Sequence, residues 1–291
     1  MPTSRRELMT GAVTTAVALG AAAAASAQSP GGAAGNKPPK AQDGRLIITR
    51  DGGIARLTLS NPGLQNMITL KMAADIEAFC DQVDKDQTIG AVLIDGADGY
   101  FSSGADRSVL AGLSANPTSS ESLANNSTLY RFFTRIGELP VPSVSLVEGG
   151  AVGAATNLML ATDLTLVTPD AVIDTAFTAN GIHPGGGHLM LLGRRAGYPA
   201  AAAFGMLGQT LTGSEAVARR LAYAAYPAAE LLPAATRLVA IAAKDPELAR
   251  KVKKSLALEI GAGMVSWPAA VEIERGVQMW SMARKGRAGW R

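Results

Sequence analysis

The segment VEGGAVGAATNLMLATDLTLVTPDAVIDTAFTANGIHPGGGH, residues 147–188, decides the fold. An apolar strand predicted at residues 143–147 leads into its Gly/Ala-rich turn. A helix is expected to open near Gly153, and a second strand follows at residues 164–167. Glycines let another backbone or a ligand come close, and the first amides of a helix have no intrahelical acceptor. This turn is therefore suited to binding an anionic oxygen.

A second segment, GADGYFSSGADRS at residues 96–108, supplies the other half of the arrangement. A strand of buried type is predicted at residues 91–95, and the Ser103-Gly104-Ala105 turn after it can present another free backbone N–H. Two amides that point at one oxygen form an oxyanion hole, in which losing one donor costs roughly 3 kcal/mol of transition-state stabilisation. The two turns together favour chemistry at a carbonyl group.

These segments, their order and their separation resemble the crotonase (enoyl-CoA hydratase/isomerase) superfamily. The same is true of IARLTLSNPGLQN at residues 54–66 and of the helix expected after Thr69. The resemblance extends over about residues 45–274. It implies an α/β fold, the crotonase-like ββα spiral, with a C-terminal helical region that assembles a homotrimer or a dimer of trimers.

The resemblance also implies where the site lies. The oxyanion donors would be the backbone amides of Ala105 and Ala154, a role in which the side chains are irrelevant. The substrate pocket would include Ser103, Gly104, Asp106, Gly153, Phe177 and Gly185. No cofactor is implied, and the partner would be a small carbonyl compound or an acyl thioester, with a coenzyme A thioester as one alternative.

Two positions depart from the family pattern. Enoyl-CoA hydratases use two glutamates to hold the water that adds to the double bond, and the matching positions here are Asn157 and Phe177. Neither side chain takes up a proton near neutral pH. The sequence therefore argues against ordinary enoyl-CoA hydration. Asn157 is expected to position a water or an enolate by hydrogen bonding, and Phe177 to form an apolar wall.

The two histidines of the chain, His183 and His188, flank a Pro-Gly-Gly-Gly run and are candidates for a general base. Asp174 could orient such a base if the two side chains meet. The alternatives are a histidine bonded to a loop carbonyl, His188 as a mere helix start, and Asp174 as a surface turn residue. Asp106 faces a similar choice, because it could instead cap the helix that follows it.

The N-terminal segment is typical of a targeting signal. Arg5 and Arg6, a weakly apolar Ala/Thr/Gly run and an Ala-Ser-Ala site predict a Tat-type signal peptide over residues 1–27 and hence export, with a periplasmic location. A disordered extension or a membrane anchor is the alternative. Residues 28–44 are interpreted as a flexible linker, and residues 45–291 as one crotonase-like domain, with its core at 45–227 and its helical region at 228–291.

Composition excludes several functions. A net charge of +3 with scattered basic residues does not predict a nucleic-acid surface, and the mature chain shows no stable membrane span. Cys80 is predicted to lie on the apolar face of a helix, and no Cys or His occurs with the spacing of a metal site. Residues 111–126 are rich in Ser, Ala and Asn and give little signal of order.

Three functions follow as hypotheses. The first is an exported enzyme that stabilises an enolate and cleaves or isomerises a carbonyl compound, like the β-diketone hydrolases of the superfamily. The second is a hydratase or isomerase of acyl-CoA thioesters. The third is a ligand-binding homologue without catalysis, which would be indicated if changes at the candidate acid/base residues had no effect.

Overall fold

The computed structural model describes residues 44–259 and 266–288. The predicted signal at residues 1–27 and all but the last residue of the predicted linker lie outside the described residues, so their assignments stay predictions. The remaining residues form alternating strands and helices, as an α/β fold requires.

Within the described part of the chain, the main sheet has six strands. They are β1 (Arg45–Asp51), β2 (Ile54–Ser60), β3 (Ala91–Gly96), β4 (Ser143–Val147), β6 (Leu164–Val167) and β9 (Ala224–Ala225), and they lie in the order β1-β2-β3-β4-β6-β9. β1 runs antiparallel to β2, and every other neighbouring pair is parallel. All residues of β4 are buried, which explains its uninterrupted apolar character. The strands predicted at 91–95, 143–147 and 164–167 are confirmed.

A second sheet of three strands is described, and it consists of β5 (Gly150–Val152), β7 (Val172–Asp174) and β8 (Thr210–Thr212). β5 pairs in parallel with β7, and β7 pairs antiparallel with β8. Isolated bridges tie Ser102 to Ala151 and Ile68 to Ala105. The bridge between Ser102 and Ala151 joins the two turns that the sequence singled out, and the bridge between Ile68 and Ala105 ties the first of them to the loop before α1.

The helices follow the local signals closely. They are α1 (Leu70–Lys85), α2 (Arg107–Ala115), α3 (Ser120–Gly137), α4 (Ala154–Ala161), α5 (His188–Ala201), α6 (Gly213–Ala218), α7 (Ala228–Lys244), α8 (Pro246–Glu259) and α9 (Trp267–Ala288). Thr69 caps α1 by accepting a hydrogen bond from the amide of Met72 at 3.1 Å. Thr212 and Glu215 form a capping box at the start of α6.

The interpretation of residues 111–126 as weakly ordered is wrong, because α2 and α3 occupy most of this segment. Asp106 and Ser119 cap the two helices with their side chains, accepting from the amides of Ser108 and Ser122. The surface of α3 is polar at its start, and its apolar residues become dense only from Leu129 onward, where they pack into the core. The residues in the first turns of α3 therefore do not predict a helix, and tertiary packing stabilises it.

α1 packs against α3 on one side of the main sheet, and Cys80 is fully buried in that layer, as predicted. Burial raises the pKa of its thiol to about 12, so it is an inert core residue.

Asn66 donates to the backbone carbonyls of Ala97 and Tyr100 and accepts from the amide of Asn61, which secures the loop after β2. Among residues 44–259 and 266–288, none of the helices combines the length and the hydropathy that a membrane span requires.

Candidate active site

The first of the two predicted turns presents the amide of Ala105. The carbonyl of Gly104 accepts from the amide of Ile68 at 2.8 Å, and the amide of Asp106 donates to the carbonyl of Ile68 at 3.0 Å. In a parallel bridge of this pattern, the amide of the intervening residue points to the other side. Ala105 therefore turns its N–H away from Ile68.

The second turn touches the first. Gly104 has a φ of +90°, and a side chain there would overlap the carbonyl oxygen of Val152 and lie 3.3 Å from the amide nitrogen of Ala154. Glycine is required at position 104 both for its backbone conformation and for this close approach. The segments that carry Ala105 and Ala154 are thus in direct contact.

Hydrogen bonds of the turn before α4 fix the start of this helix. The amide of Gly153 donates to the carbonyl of Asp174 at 2.9 Å, and the hydroxyl of Thr156 donates to the carbonyls of Ala151 and Asp174. Ala154 is the first residue of the helix, so its amide has no intrahelical acceptor. The proximity of the two turns is consistent with an oxyanion hole, and the convergence of both amides on one substrate oxygen stays a prediction.

Asn157 and His188 form a buried pair beside this turn. Asn157 lies three residues after Ala154 on α4, which corresponds to a rise of about 4.5 Å along the helix. Its Nδ2 donates to the carbonyl of Gly185 at 2.8 Å, and its Oδ1 lies 2.5 Å from Nδ1 of His188. Since a carbonyl can only accept, the first bond fixes the amide orientation and makes Oδ1 the acceptor from His188.

This network assigns the tautomer of His188. Nδ1 carries the proton that it donates to Asn157, which leaves a lone pair on Nε2. The ring is fully buried, and Nε2 has no hydrogen-bond partner among the described residues. Burial lowers the pKa of His188 to about 3, so the ring stays neutral through the physiological range. Phe177 packs against it edge-on, with ring centroids 5.0 Å apart. His188 is therefore a neutral imidazole with an unused basic nitrogen.

The other acid/base candidates are engaged differently. Nδ1 of His183 lies 2.6 Å from the carbonyl of Pro184, and its amide donates to Ser281 at 2.9 Å, which is the loop-bonded arrangement weighed above. Asp174 accepts from the amide of Ala176 at 2.8 Å in a tight local turn. Within the described ranges, no hydrogen bond or ion pair joins Asp174 to either histidine, so the idea of a His–Asp pair is not supported.

The remaining residues of the predicted pocket are held by local contacts. Asp106 caps α2, and the hydroxyl of Ser103 donates to the carbonyl of Leu64 at 3.1 Å. A side chain at Gly185 would overlap the side chains of Gln278 and Tyr130, so the loop can lie there only as glycine. Ala105 and Phe177 border an apolar cluster with buried members Leu113, Leu129, Ile182, Met279 and Met282. The candidate site thus brings together two backbone turns, one buried imidazole and apolar side chains.

The architecture and the two turns match a known family. The family model for enoyl-CoA hydratase/isomerase covers residues 49–279. The chain belongs to this family. A probable enoyl-CoA hydratase of Mycobacterium tuberculosis is 32% identical over 182 residues, which are 62% of this chain and 70% of that protein. Enoyl-CoA delta isomerase 2 of Rattus norvegicus is 29% identical over 232 residues, which are 79% of this chain and 57% of the isomerase.

A solved structure supports the same assignment. An enoyl-CoA hydratase from Mycobacterium avium subsp. paratuberculosis K-10 has a TM-score of 0.71 and 26% identity, covering 84% of this chain and 98% of that one. The predicted crotonase-like fold is confirmed by this likeness and by the family match.

Sequence reasoning missed one residue of this enoyl-CoA hydratase/isomerase family member. Glu274 of α9 is 4% exposed, and its carboxylate accepts from the amides of Gly187, His188 and Leu189 at 2.7, 3.0 and 3.1 Å. Burial raises its pKa to about 7, against the opposing effect of the three amides. A signal existed, because Glu274 shares a helical spacing with the buried Val271 and Gln278.

Proposed function

We propose that this family member forms an enolate, or an equivalent oxyanion, from a small carbonyl compound and then cleaves or isomerises that compound. The carbonyl oxygen would lie between the amides of Ala105 and Ala154, and His188 would transfer the proton. One observation carries the proposal: the free Nε2 of a fully buried, neutral histidine whose ring bonds to Asn157, about one helical turn after the first residue of α4. A buried polar atom without a partner in a native fold calls for such an explanation.

The low pKa of His188 has to be reconciled with a role as base. A ring that is neutral at rest is ready to accept a proton over the whole working range of pH. The imidazolium would form only as the substrate oxygen becomes negative nearby, and opposite charges in a buried site stabilise each other strongly. The bond to Asn157 would hold the tautomer meanwhile. General base catalysis of this kind contributes roughly 100- to 10,000-fold.

The same geometry accounts for two reactions. In isomerisation, Nε2 removes a proton next to the carbonyl and returns it to another carbon of the enolate. In cleavage of a β-diketone, Nε2 takes a proton from water, hydroxide adds to one carbonyl, the carbon–carbon bond breaks, and the enolate that leaves takes the proton back. The products are a carboxylic acid and a ketone. Only one acid/base group is needed in either case.

Hydration of a double bond fits less well. Both polar side-chain atoms of Asn157 are already used, by Gly185 and by His188, and the side chain of Phe177 has no polar atom. A pair of carboxylates that could hold a water, as the family resemblance implies for hydratases, is replaced by these two side chains. We therefore favour cleavage or isomerisation of a carbonyl compound, with β-diketones as the first substrate class.

Acyl-CoA isomerisation is the second candidate, because the relatives that match the chain include a named enoyl-CoA isomerase as well as hydratases. It would use the same base and the same two amides. A CoA-free β-diketone and a CoA thioester differ in the group beyond the carbonyl, and the identity of that group is what a substrate screen can decide. A ligand-binding homologue without turnover is the third outcome.

The test is a turnover and thermal-shift screen of β-dicarbonyl compounds and enoyl-CoA esters, with wild type, His188→Gln and His183→Gln. We expect one class to be converted, a fall in kcat of at least about 100-fold for His188→Gln, and less than about threefold for the matched control His183→Gln. Unchanged turnover in His188→Gln would remove His188 as the base. Thermal stabilisation without turnover of either class would indicate a binding protein.

We further propose assembly as a homotrimer or dimer of trimers, and export through the predicted signal. The exposed apolar side chains Leu248, Val252 and Leu256, spaced at i, i+4 and i+8 on α8, support a subunit contact. Light scattering of wild type and Val252→Glu would test assembly, with a shift to monomer expected for the variant. Unchanged mass would place the contact elsewhere.

A further inference from the structure

Two residues after the end of α6, an arginine adopts a backbone conformation that favours glycine. Arg220 has a φ of +62°. Its amide donates to the carbonyl of Val217 at 3.0 Å, and the amide of Leu221 donates to the carbonyl of Ala216 at 2.8 Å. These two bonds form a Schellman motif, in which the left-handed residue is most often glycine. A side chain at this position strains the backbone, and strain of this kind points to a function of the side chain.

The guanidinium group of Arg220 is available to a ligand. Among residues 44–259 and 266–288 it makes neither a hydrogen bond nor an ion pair. The neighbouring Arg219 forms an ion pair with Glu215 at 3.9 Å, and the side chains of both partners are exposed. An exposed pair at this distance contributes little stability, so an anion can compete for Arg219 as well.

Both arginines line a cavity of about 360 Å³, and the rest of its lining is apolar. Ala218 lies beside the arginines. The other lining residues recur every three or four positions between the last turns of α5 and the helical turn that follows it: Ala196, Pro199, Ala200, Ala203 and Phe204. Ala200 and Phe204 are buried, whereas both arginines are exposed. The cavity therefore has an apolar floor and a cationic rim.

This combination fits one chemical class of ligand. Guanidinium groups bind carboxylates through paired, charge-assisted hydrogen bonds, and none of the described residues that line the cavity is acidic. Alanine and phenylalanine side chains offer only van der Waals contact, which suits an alkyl or aryl group. The volume of about 360 Å³ equals that of about a dozen water molecules and lies at the small end of the range for ligand sites. The ligand is therefore a small amphipathic anion.

We propose that this cavity is a second ligand site, for a small amphipathic carboxylate. The carboxylate would bind to Arg220 and Arg219, and the apolar body would lie against Ala200 and Phe204. No residue of this site belongs to the candidate active site, so the proposal does not depend on the reaction catalysed there.

The experiment titrates the full chain, labelled at its alanine methyl groups, with sodium octanoate and follows the methyl resonances by NMR. We expect saturable shifts, largest at Ala196, Ala200, Ala203 and Ala218, with a Kd of roughly 0.1 to 10 mM for a ligand of about ten non-hydrogen atoms. 1-Octanol lacks the charge and inorganic phosphate lacks the chain, so each should bind at least about tenfold more weakly. Equal binding of either compound, or no saturable shift with octanoate, would overturn the proposal.

Arg220→Gly separates the ligand from the fold. Glycine relieves the strain at this position, so the melting temperature should equal that of wild type or exceed it by up to about 4 °C. The affinity for octanoate should nevertheless fall at least about tenfold, because the unpaired guanidinium is lost. A lower melting temperature would show that Arg220 supports the fold, and unchanged affinity would show that it does not bind the anion. Either result would contradict the proposal.

Two further variants test the remaining parts of the site. Arg194→Gln is the matched control, because Arg194 is an exposed arginine of α5 outside the cavity lining, and it should bind octanoate like wild type. Ala203→Leu fills the apolar part while both arginines stay in place, and it should weaken binding at least about tenfold. An equal loss in Arg194→Gln would indicate general attraction to positive charge, and full affinity in Ala203→Leu would place the ligand elsewhere.

Discussion

The starts of α4 and α5 are alike in backbone and opposite in use. Each follows a glycine with positive φ, Gly153 at +57° and Gly187 at +79°, and neither glycine provides a side-chain cap. At α5 the carboxylate of Glu274 accepts from three amides. At α4 the first amide, that of Ala154, faces the turn of Gly104.

The difference teaches how a fold separates structure from chemistry. The N-terminus of a helix attracts negative charge, whether a side chain of the protein or a bound ligand supplies that charge. Where the chain supplies a carboxylate, the start becomes a rigid support, and here it supports His188. Where the chain supplies only another backbone turn, the start remains available to a substrate oxygen. Asn157 links the two, because it belongs to α4 and bonds to the first residue of α5.

The largest effect is expected from Ala154→Pro, which removes the amide N–H of the first residue of α4. Proline is tolerated at the first position of a helix, where it removes the N–H and puts a ring carbon in its place. If that N–H binds the substrate oxygen, kcat should fall roughly 100- to 1,000-fold. The measurement is kcat on whichever substrate class the screen identifies, with circular dichroism to verify the fold.

Ala228→Pro is the matched control, since Ala228 is an exposed first residue of α7. It should retain activity and stability close to wild type. An equal loss of activity in both variants, or none in Ala154→Pro, would argue against the oxyanion role of the α4 start.

Glu274→Ala removes the carboxylate that accepts from the first amides of α5. Three buried amides would lose their acceptor, and the free energy of unfolding at pH 6 should fall by roughly 2–4 kcal/mol. Urea denaturation followed by tryptophan fluorescence measures this change. Glu272→Ala on the same helix should change stability by less than about 0.5 kcal/mol. Equal values for the two variants would mean that water replaces the carboxylate without loss.

The smallest effect is expected from a change of Asn157, which links the start of α4 to the start of α5. Asn157→Asp keeps the acceptor for Nδ1 of His188 but loses the donor to Gly185, so stability should fall by roughly 1–2 kcal/mol. A carboxylate beside the ring favours the imidazolium, and the pKa of His188 should rise from its depressed value of about 3. Histidine NMR over a pH range measures this. An unmoved pKa would show that Asn157 is not the electrostatic partner of the ring.

Local signals predicted the elements around the site well. Buried parallel strands are continuous apolar runs, which is why β3 and β4 were placed nearly to the residue. The cap at Asp106 depends on a few neighbouring residues, and both this cap and the helix after Thr69 were recognisable from the sequence. The helical structure within residues 111–126 was missed, because its stability comes from packing against distant parts of the chain.

In the candidate site, too, the sequence predicted the individual residues and the fold decided their contacts. Ala105, Ala154, Asn157 and His188 were all singled out from the sequence, but only the fold shows that Asn157 bonds to His188 and that Asp174 does not. The spacing of 31 residues between Asn157 and His188 carries no information about their contact. Glu274, at 86 residues from His188, could be seen as a buried position and not as a partner.

The sequence by itself determined the family, the strands of the core and the two turns with free amides, since these depend on residues close together in the chain. The tertiary structure alone decided which side chains meet: the tautomer of His188, the local turn of Asp174 and the capping of α5 by Glu274. The physical reason is that a backbone turn is fixed by local conformation, whereas a buried hydrogen bond between distant residues exists only once the core has brought them together.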